Sequence, residues 1–167
     1  EGDPTITKAW NRLKANEYSG SGIATYPTVD VLRGGNVQNY MNACRGAAMA
    51  YQNALRWKIE GTEANAKAAV RILMAWADVC KNVGGDSNYA LASGLYGYQF
   101  AQAAELVRDY EGWKPEDFSK FKQWMIEVWY PKCIGFLRGR NGTWENAANK
   151  PGAGHGDDGC RPGHYWS

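Results

Sequence analysis

Two stretches of helical period separated by one glycine constrain the fold of this chain more than any other feature. Over residues 37–60, Tyr40, Cys44, Ala47, Tyr51, Leu55 and Ile59 recur every three or four positions and predict one stripe along a long helix. Gly61 stops that helix. Thr62 with Asn65 restarts an alanine-rich one running to about residue 83, whose stripe is Ala69, Leu73, Trp76 and Cys80. So short a connection forces the two helices antiparallel. Cys44 lies 17 residues before Gly61 and Cys80 lies 19 after it, so both fall at nearly the same height in the hairpin. That height suits a disulfide or two thiols packed in a core, and the spacing does not choose between them.

The remaining periodic segments extend the same pattern. Asp3-Pro4 opens a short first helix with Trp10 and Leu13 on one face. Residues 17–35 hold Gly20, Gly22, Pro27, Gly34 and Gly35 and predict an irregular excursion. Gly84-Gly85 is expected to cap the alanine-rich helix. A fourth helix over about residues 90–110 carries Leu95, Ala101, Leu106 and Val107 and ends by Gly112. Pro115-Glu116-Asp117 marks the first turn of a fifth, with Phe118, Phe121, Met125 and Val128 as its stripe. Pro131 is expected to kink or end it before residues 133–137. Residues 140–167 contain six glycines, two prolines and no period, which predicts a long Gly-rich C-terminal loop. The fold class is therefore all-α, a series of antiparallel helical hairpins. No period of about 34 or 40 residues supports a repeat array, so unlike hairpins in series suit part of an α/α toroid or an irregular bundle.

A length of 167 residues allows one domain with a real core. No run of about 18 apolar residues is present, which argues against a membrane span. Nineteen basic against 17 acidic residues is too even for a nucleic-acid binder, whose phosphate contacts need a clustered cationic excess. From Lys132 onward five basic residues face three acidic ones, while the remainder holds 14 of each sign, so the excess of charge lies in the C-terminal stretch with both histidines. That asymmetry suits an anionic ligand as well as a solvated tail. Eight Trp, 10 Tyr and 4 Phe fit either a dense core or sugar-stacking surfaces. The four cysteines contain no C-x-x-C, and the start at Glu1 without Met or apolar leader is what a processed secreted or periplasmic protein would show.

The chemically able residues gather between Arg140 and Ser167. A metal site from His155, Asp157, Asp158, Cys160 and His164 has suitable donors but no ligand spacing to support it. A glycoside hydrolase would pair Glu145 with Asp157 or Asp158, and nothing fixes their separation. Uronate β-elimination is the third reading. It removes the C5 proton beside a carboxylate and expels the C4 oxygen, so it needs a proton acceptor and donors that neutralise the developing charge.

The third reading is where the chain becomes recognisable. The run from Asn88 through Tyr89, Leu95, Gln99 and Gln102 to Arg108 resembles the corresponding helix of alginate-lyase-like polysaccharide lyases. So does the pairing of Trp124-Met125 and Trp129-Tyr130-Pro131 with Gly163-His164-Tyr165-Trp166-Ser167, and the resemblance spans most of residues 40–167. It implies an α/α-toroid lyase acting on an anionic, alginate-like polysaccharide, with no metal or organic cofactor. Carried over, it makes His164 the base or carboxylate neutraliser and lets Asn146 or Asn149 polarise the carboxylate. Arg161 and Arg140 would then hold flanking uronates, with Trp144, Tyr89, Gln99 and Tyr165 lining the groove. A non-catalytic carbohydrate-binding helical fragment is the rival outside enzymes. A toroid takes about ten helices and this chain supplies about five. Residues 1–167 are therefore expected to be a single helical domain forming the N-terminal part of a larger one, with a second polypeptide segment completing the ring.

Overall fold

The structure, a computed structural model, describes residues 3–139. The chain divides into two units, Glu1–Phe136 and Leu137–Ser167, and of the second only residues 137–139 are described. The first unit is mostly helical. Its elements are α1 (Pro4–Ala15), a 3₁₀ turn (Glu17–Ser19), β1 (Asp30–Arg33), α2 (Met41–Glu60) and α3 (Glu63–Val79). There follow β2 (Asn82–Gly85), α4 (Tyr89–Ala92), α5 (Tyr98–Leu106), α6 (Pro115–Trp124) and α7 (Tyr130–Gly139). Five-residue π turns, Ser93–Gly97 and Met125–Trp129, join α4 to α5 and α6 to α7, so seven α segments make five helices among the described residues. None of them is long and apolar enough to cross a membrane.

The α2–α3 hairpin forms as its glycine demands. Gly61 takes φ +69°, and its N–H closes the helix on the Trp57 carbonyl at 2.8 Å. The buried face of α2 carries Ala43, Gly46, Ala47, Met49, Ala50, Asn53 and Ala54; of the expected stripe Ala47 is fully buried, Tyr40, Cys44 and Tyr51 pack half-buried against the core, Leu55 is half-buried and Ile59 is exposed. Small side chains win that face because α2 packs against both α3 and α5. At Gly46 an added Cβ would sit 2.2 Å from the Trp76 Nε1, so the indole occupies the space a side chain would take. The α3 stripe of Ala69, Leu73, Trp76 and Cys80 is fully buried as its period predicts.

Two expectations are corrected. The Gly-rich stretch before α2 contains a strand, and Gly84-Gly85 is part of its partner rather than a helix cap. β1 and β2 pair in parallel, Asp30 opposite Asn82 and Arg33 opposite Gly85, with the α2–α3 hairpin as their crossover. Val31 and Val83 anchor the pair in the core. Of the two outcomes expected at Pro131, the helix does not end there but continues to Gly139. The π turn immediately before it changes the pairing where the proline ring would strike the carbonyl four residues back. Of the two readings left open for Cys44 and Cys80, the structure shows no bridge between the two. α3 ends at Val79, so Cys80 lies past the helix, where its Sγ contacts the Asn82 carbonyl at 3.8 Å.

Among the described residues, most aromatic side chains lie in the core or pack against it, Tyr26, Tyr98 and Tyr130 being exposed. Phe100 is fully buried, with Trp76 (5.5 Å), Trp124 (5.5 Å) and Trp129 (5.7 Å) around it, and Trp113 and Phe121 extend the cluster toward α6. Among the buried polar groups is an amide pair. Asn65 Nδ2 donates to Asn53 Oδ1 at 2.7 Å and to the Ser19 carbonyl, and Asn53 Nδ2 donates to the Tyr18 carbonyl at 3.0 Å, which pins the 3₁₀ turn onto the hairpin.

Burial also acts on Cys80, pushing its thiol up to about 11. A thiol whose folded pKa lies above its unfolded value contributes stability below the unfolded value, near 9, and loses it as pH rises toward 11. The difference in unfolding free energy between the native chain and Cys80→Ala is therefore expected to be constant to about pH 8 and to shrink from pH 9 to 11. A denaturant series at those pH values checks it; a difference that grows with pH would contradict it.

Candidate functional site

Among the described residues, the chemistry collects at the C-terminal end of β1. Parallel strands put their carboxyl ends on one side, and the segments that follow them converge there. Leu32-Arg33-Gly34-Gly35 leaves the strand with Gly34 at φ +82°, where an added Cβ would meet the Asp86 carboxylate at 1.9 Å. That close approach of the loop after β1 to the loop after β2 needs a residue without a side chain. The free edge of β1 is closed by Asn39, whose Oδ1 accepts from Leu32 N at 2.7 Å and whose Nδ2 donates to the Asp30 carbonyl at 2.9 Å. Asn39 and Tyr40 both donate their backbone N–H to the Leu32 carbonyl at 3.1 Å. These bonds hold Tyr40, at the N-cap of α2, against the Arg33 side chain.

Arg33 is the centre of the cluster. It alternates with Asp30 and Leu32, so it points the same way as Val31, into the protein, and is 7% exposed. Its guanidinium carbon lies 4.7 Å from the Tyr40 ring centroid and 5.9 Å from that of Tyr96, and Nη1 donates to the Tyr96 hydroxyl at 2.9 Å. The two phenol rings are parallel within 5°, with centroids 6.2 Å apart. Tyr96 belongs to the first π turn, whose extra residue per turn shifts the phase of the helix. Ser93 Oγ donates to the Trp129 carbonyl at 2.7 Å, tying that turn to the second one, and Gly97 admits the Trp129 ring where a Cβ would lie 2.9 Å away.

Arg33 has no counter-charge among the described residues. Arg56 and Arg108 pair with Glu60 and Glu105, and Arg71 donates to backbone carbonyls. Among the described residues no carboxylate comes within ion-pair distance of Arg33, although it is the most buried of these arginines. Cation–π contact offsets part of the cost of burying the charge, about 0.5–2 kcal/mol per ring, against a desolvation penalty of several kcal/mol per ion. A planar donor fork beside two aromatic rings, with no anion against it among the described residues, suits a carboxylate ligand.

A second cation stands beside β2. Lys132 on α7 donates from Nζ to Asn82 Oδ1 at 3.2 Å and lies 5.8 Å from the centroid of the Tyr89 ring. Asn82 in turn donates to Asp30 Oδ1 at 3.2 Å, so Asp30 reaches Lys132 through one amide. No group of three His, Cys, Asp or Glu residues that could hold a metal ion occurs among the described residues.

Two of the residues expected at the site fall in the described part. Tyr89 opens α4 half-buried under Lys132, and Gln99 is exposed on α5 with no side-chain hydrogen bond among the described residues. The structure does not bring the two together, since ten positions along one helical run separate them by about 15 Å. His164, Asn146, Asn149, Arg161, Arg140, Trp144 and Tyr165 lie outside the described residues, as do the metal-reading set of His155, Asp157, Asp158 and Cys160 and the Glu145 carboxylate. Sequence reasoning missed Arg33 and Tyr96 and placed Tyr40 only on a core stripe. The available signal was Val29-Asp30-Val31-Leu32 running into two glycines, a short β-type run that ends where backbone freedom begins. Comparison of the chain with protein-family models, curated proteins and solved structures returns no match.

Proposed function

We propose that this chain is a polysaccharide lyase that cleaves an alginate-like polymer of uronic acids by β-elimination. The observation that carries the reading is the buried guanidinium of Arg33, unpaired with any carboxylate among the described residues and flanked by Tyr40 and Tyr96. Elimination begins with a uronate carboxylate bound so that its charge is neutralised, because the C5 proton beside it is otherwise too weakly acidic to remove. Arg33 supplies two or more N–H donors for that purpose. The base takes the C5 proton, the C5–H electron pair becomes the C4–C5 double bond, and the C4–O pair leaves on the glycosidic oxygen, which receives a proton. His164 is the proposed base or second neutraliser, with Asn146 or Asn149 beside the carboxylate and Arg140 and Arg161 on flanking uronates. In this reading the five helices form part of an α/α toroid, and the enzyme works outside the cytoplasm, where such polymers are met.

The test is optical. Alginate, glucuronan and glycosaminoglycans are each incubated with the full chain, without added metal or cofactor, and the ultraviolet absorbance of unsaturated uronate ends is followed. At least one polymer is expected to give a steady rise, which His164→Ala slows by about 10²–10⁴ without changing the helical spectrum. New reducing ends without absorbance would mean hydrolysis, and no product from any polymer would leave only binding; either result overturns the proposal.

A further inference from the structure

On α2, away from the Arg33 cluster, a second concavity of about 460 Å³ opens between the helix and the segment around residues 17–26. The helix contributes Asn42, Arg45, Gly46 and Met49, which at spacings of three, one and three share one face. Met49 and Gly46 form the buried base, and Thr25 closes one side by accepting from Trp76 Nε1 at 3.1 Å. Toward solvent stand Glu17, Tyr26 and Arg45, with Tyr26 71% exposed. The side chains of Glu17, Asn42, Arg45 and Tyr26 make no hydrogen bond or ion pair among the described residues, even though an acid and a base line the same groove. Elsewhere on this surface, acid and base within reach of each other do pair, as in Lys58–Asp109 and Lys67–Glu63.

We infer that this groove is a binding site for one neutral glycosyl unit, a carbohydrate site separate from the Arg33 cluster. The volume falls in the range of small-ligand sites, about 300–1,000 Å³. A pyranose has an apolar face of C–H bonds and a rim of hydroxyls that both donate and accept. Tyr26 offers an exposed ring for the face, and Ile23 and Met49 continue the apolar floor. Arg45 donates in a fork, Glu17 accepts in one, and Asn42 does both, which matches neighbouring hydroxyls. Glu17 and Arg45 together leave the lining without net charge, which suits a neutral ligand better than an anion. The site stands independently of the lyase reading, since a neutral sugar lacks the carboxylate that elimination needs.

Isothermal titration of the full chain with the neutral β-1,4-linked hexasaccharides of glucose and of mannose, and with a hexauronate, tests the inference. At least one neutral hexamer is expected to bind, with affinity lowered about tenfold or more in Tyr26→Ala and in Arg45→Ala and unchanged in Arg33→Gln. Tyr26 and Arg45 are exposed and their side chains hold no hydrogen bond among the described residues, so these variants keep the fold; circular dichroism verifies this. Failure of both neutral hexamers to bind overturns the inference, as does binding that ignores both substitutions. A groove that takes only the hexauronate, with Arg45→Ala abolishing it, overturns the neutral class. Lyase activity is read separately by absorbance, so a lyase without this site and a site without lyase activity are distinguishable results.

Discussion

Phe100→Ala is expected to lower the unfolding free energy by about 3–5 kcal/mol, a large share of the roughly 5–15 kcal/mol that holds a domain of this kind together. Phe100 is fully buried and is the ring around which Trp76, Trp124 and Trp129 are arranged, so the cavity would open where α3, α5, α6 and the second π turn meet. Three indoles of fixed shape cannot collapse into that space without leaving their rotamers, which places the cost toward the upper end of the range. A urea titration followed by tryptophan fluorescence measures it. A loss below about 1.5 kcal/mol would show that the aromatic cluster is plastic and not the organising core described above.

Arg33→Gln is expected to separate function from stability. Affinity for a uronate oligosaccharide, and lyase turnover with it, should fall by two to three powers of ten, because removing one side of a buried charge pair costs about 2–5 kcal/mol. The variant should be as stable as the native chain or more so. A glutamine amide is able to donate to the Tyr96 hydroxyl while removing a buried charge that has no counter-ion among the described residues. Arg33→Lys keeps the charge and loses the planar fork, and is expected to fall between the two in affinity. The outcome that would sink the assignment is a strongly destabilised Arg33→Gln with unaltered uronate affinity, since Arg33 would then be a structural residue.

The two results bear on different levels of the same architecture. Arg33 is presented by a strand that exists because the α2–α3 hairpin returns the chain parallel to its entry point. Tyr96 is presented by a π turn held on its neighbour through Ser93 and the Trp129 carbonyl. The site is therefore supported by the aromatic core, because Trp129 both packs on Phe100 and receives the Ser93 bond.

Periodicity alone determined the helix count, the antiparallel hairpin around Gly61, the α3 stripe and the first turn at Pro115, because each depends on residues within a turn or two of one another. Only the tertiary structure decided which face of α2 is buried. The apolar stripe through Tyr51, Leu55 and Ile59 is the more hydrophobic, but a helix that touches two others at close range favours the face with the smallest side chains. It also decided that Gly84-Gly85 is strand and that Pro131 lies within a helix. A parallel pair 52 positions apart, Asp30 with Asn82, leaves no local pattern, and a π turn adds a residue that a 3.6 period cannot register. Arg33 was illegible for the same reason. Its burial arises from Tyr40 and Tyr96, one placed by a side-chain closure of the strand edge and the other 63 positions away on a rotated turn, and no spacing in the sequence encodes that meeting.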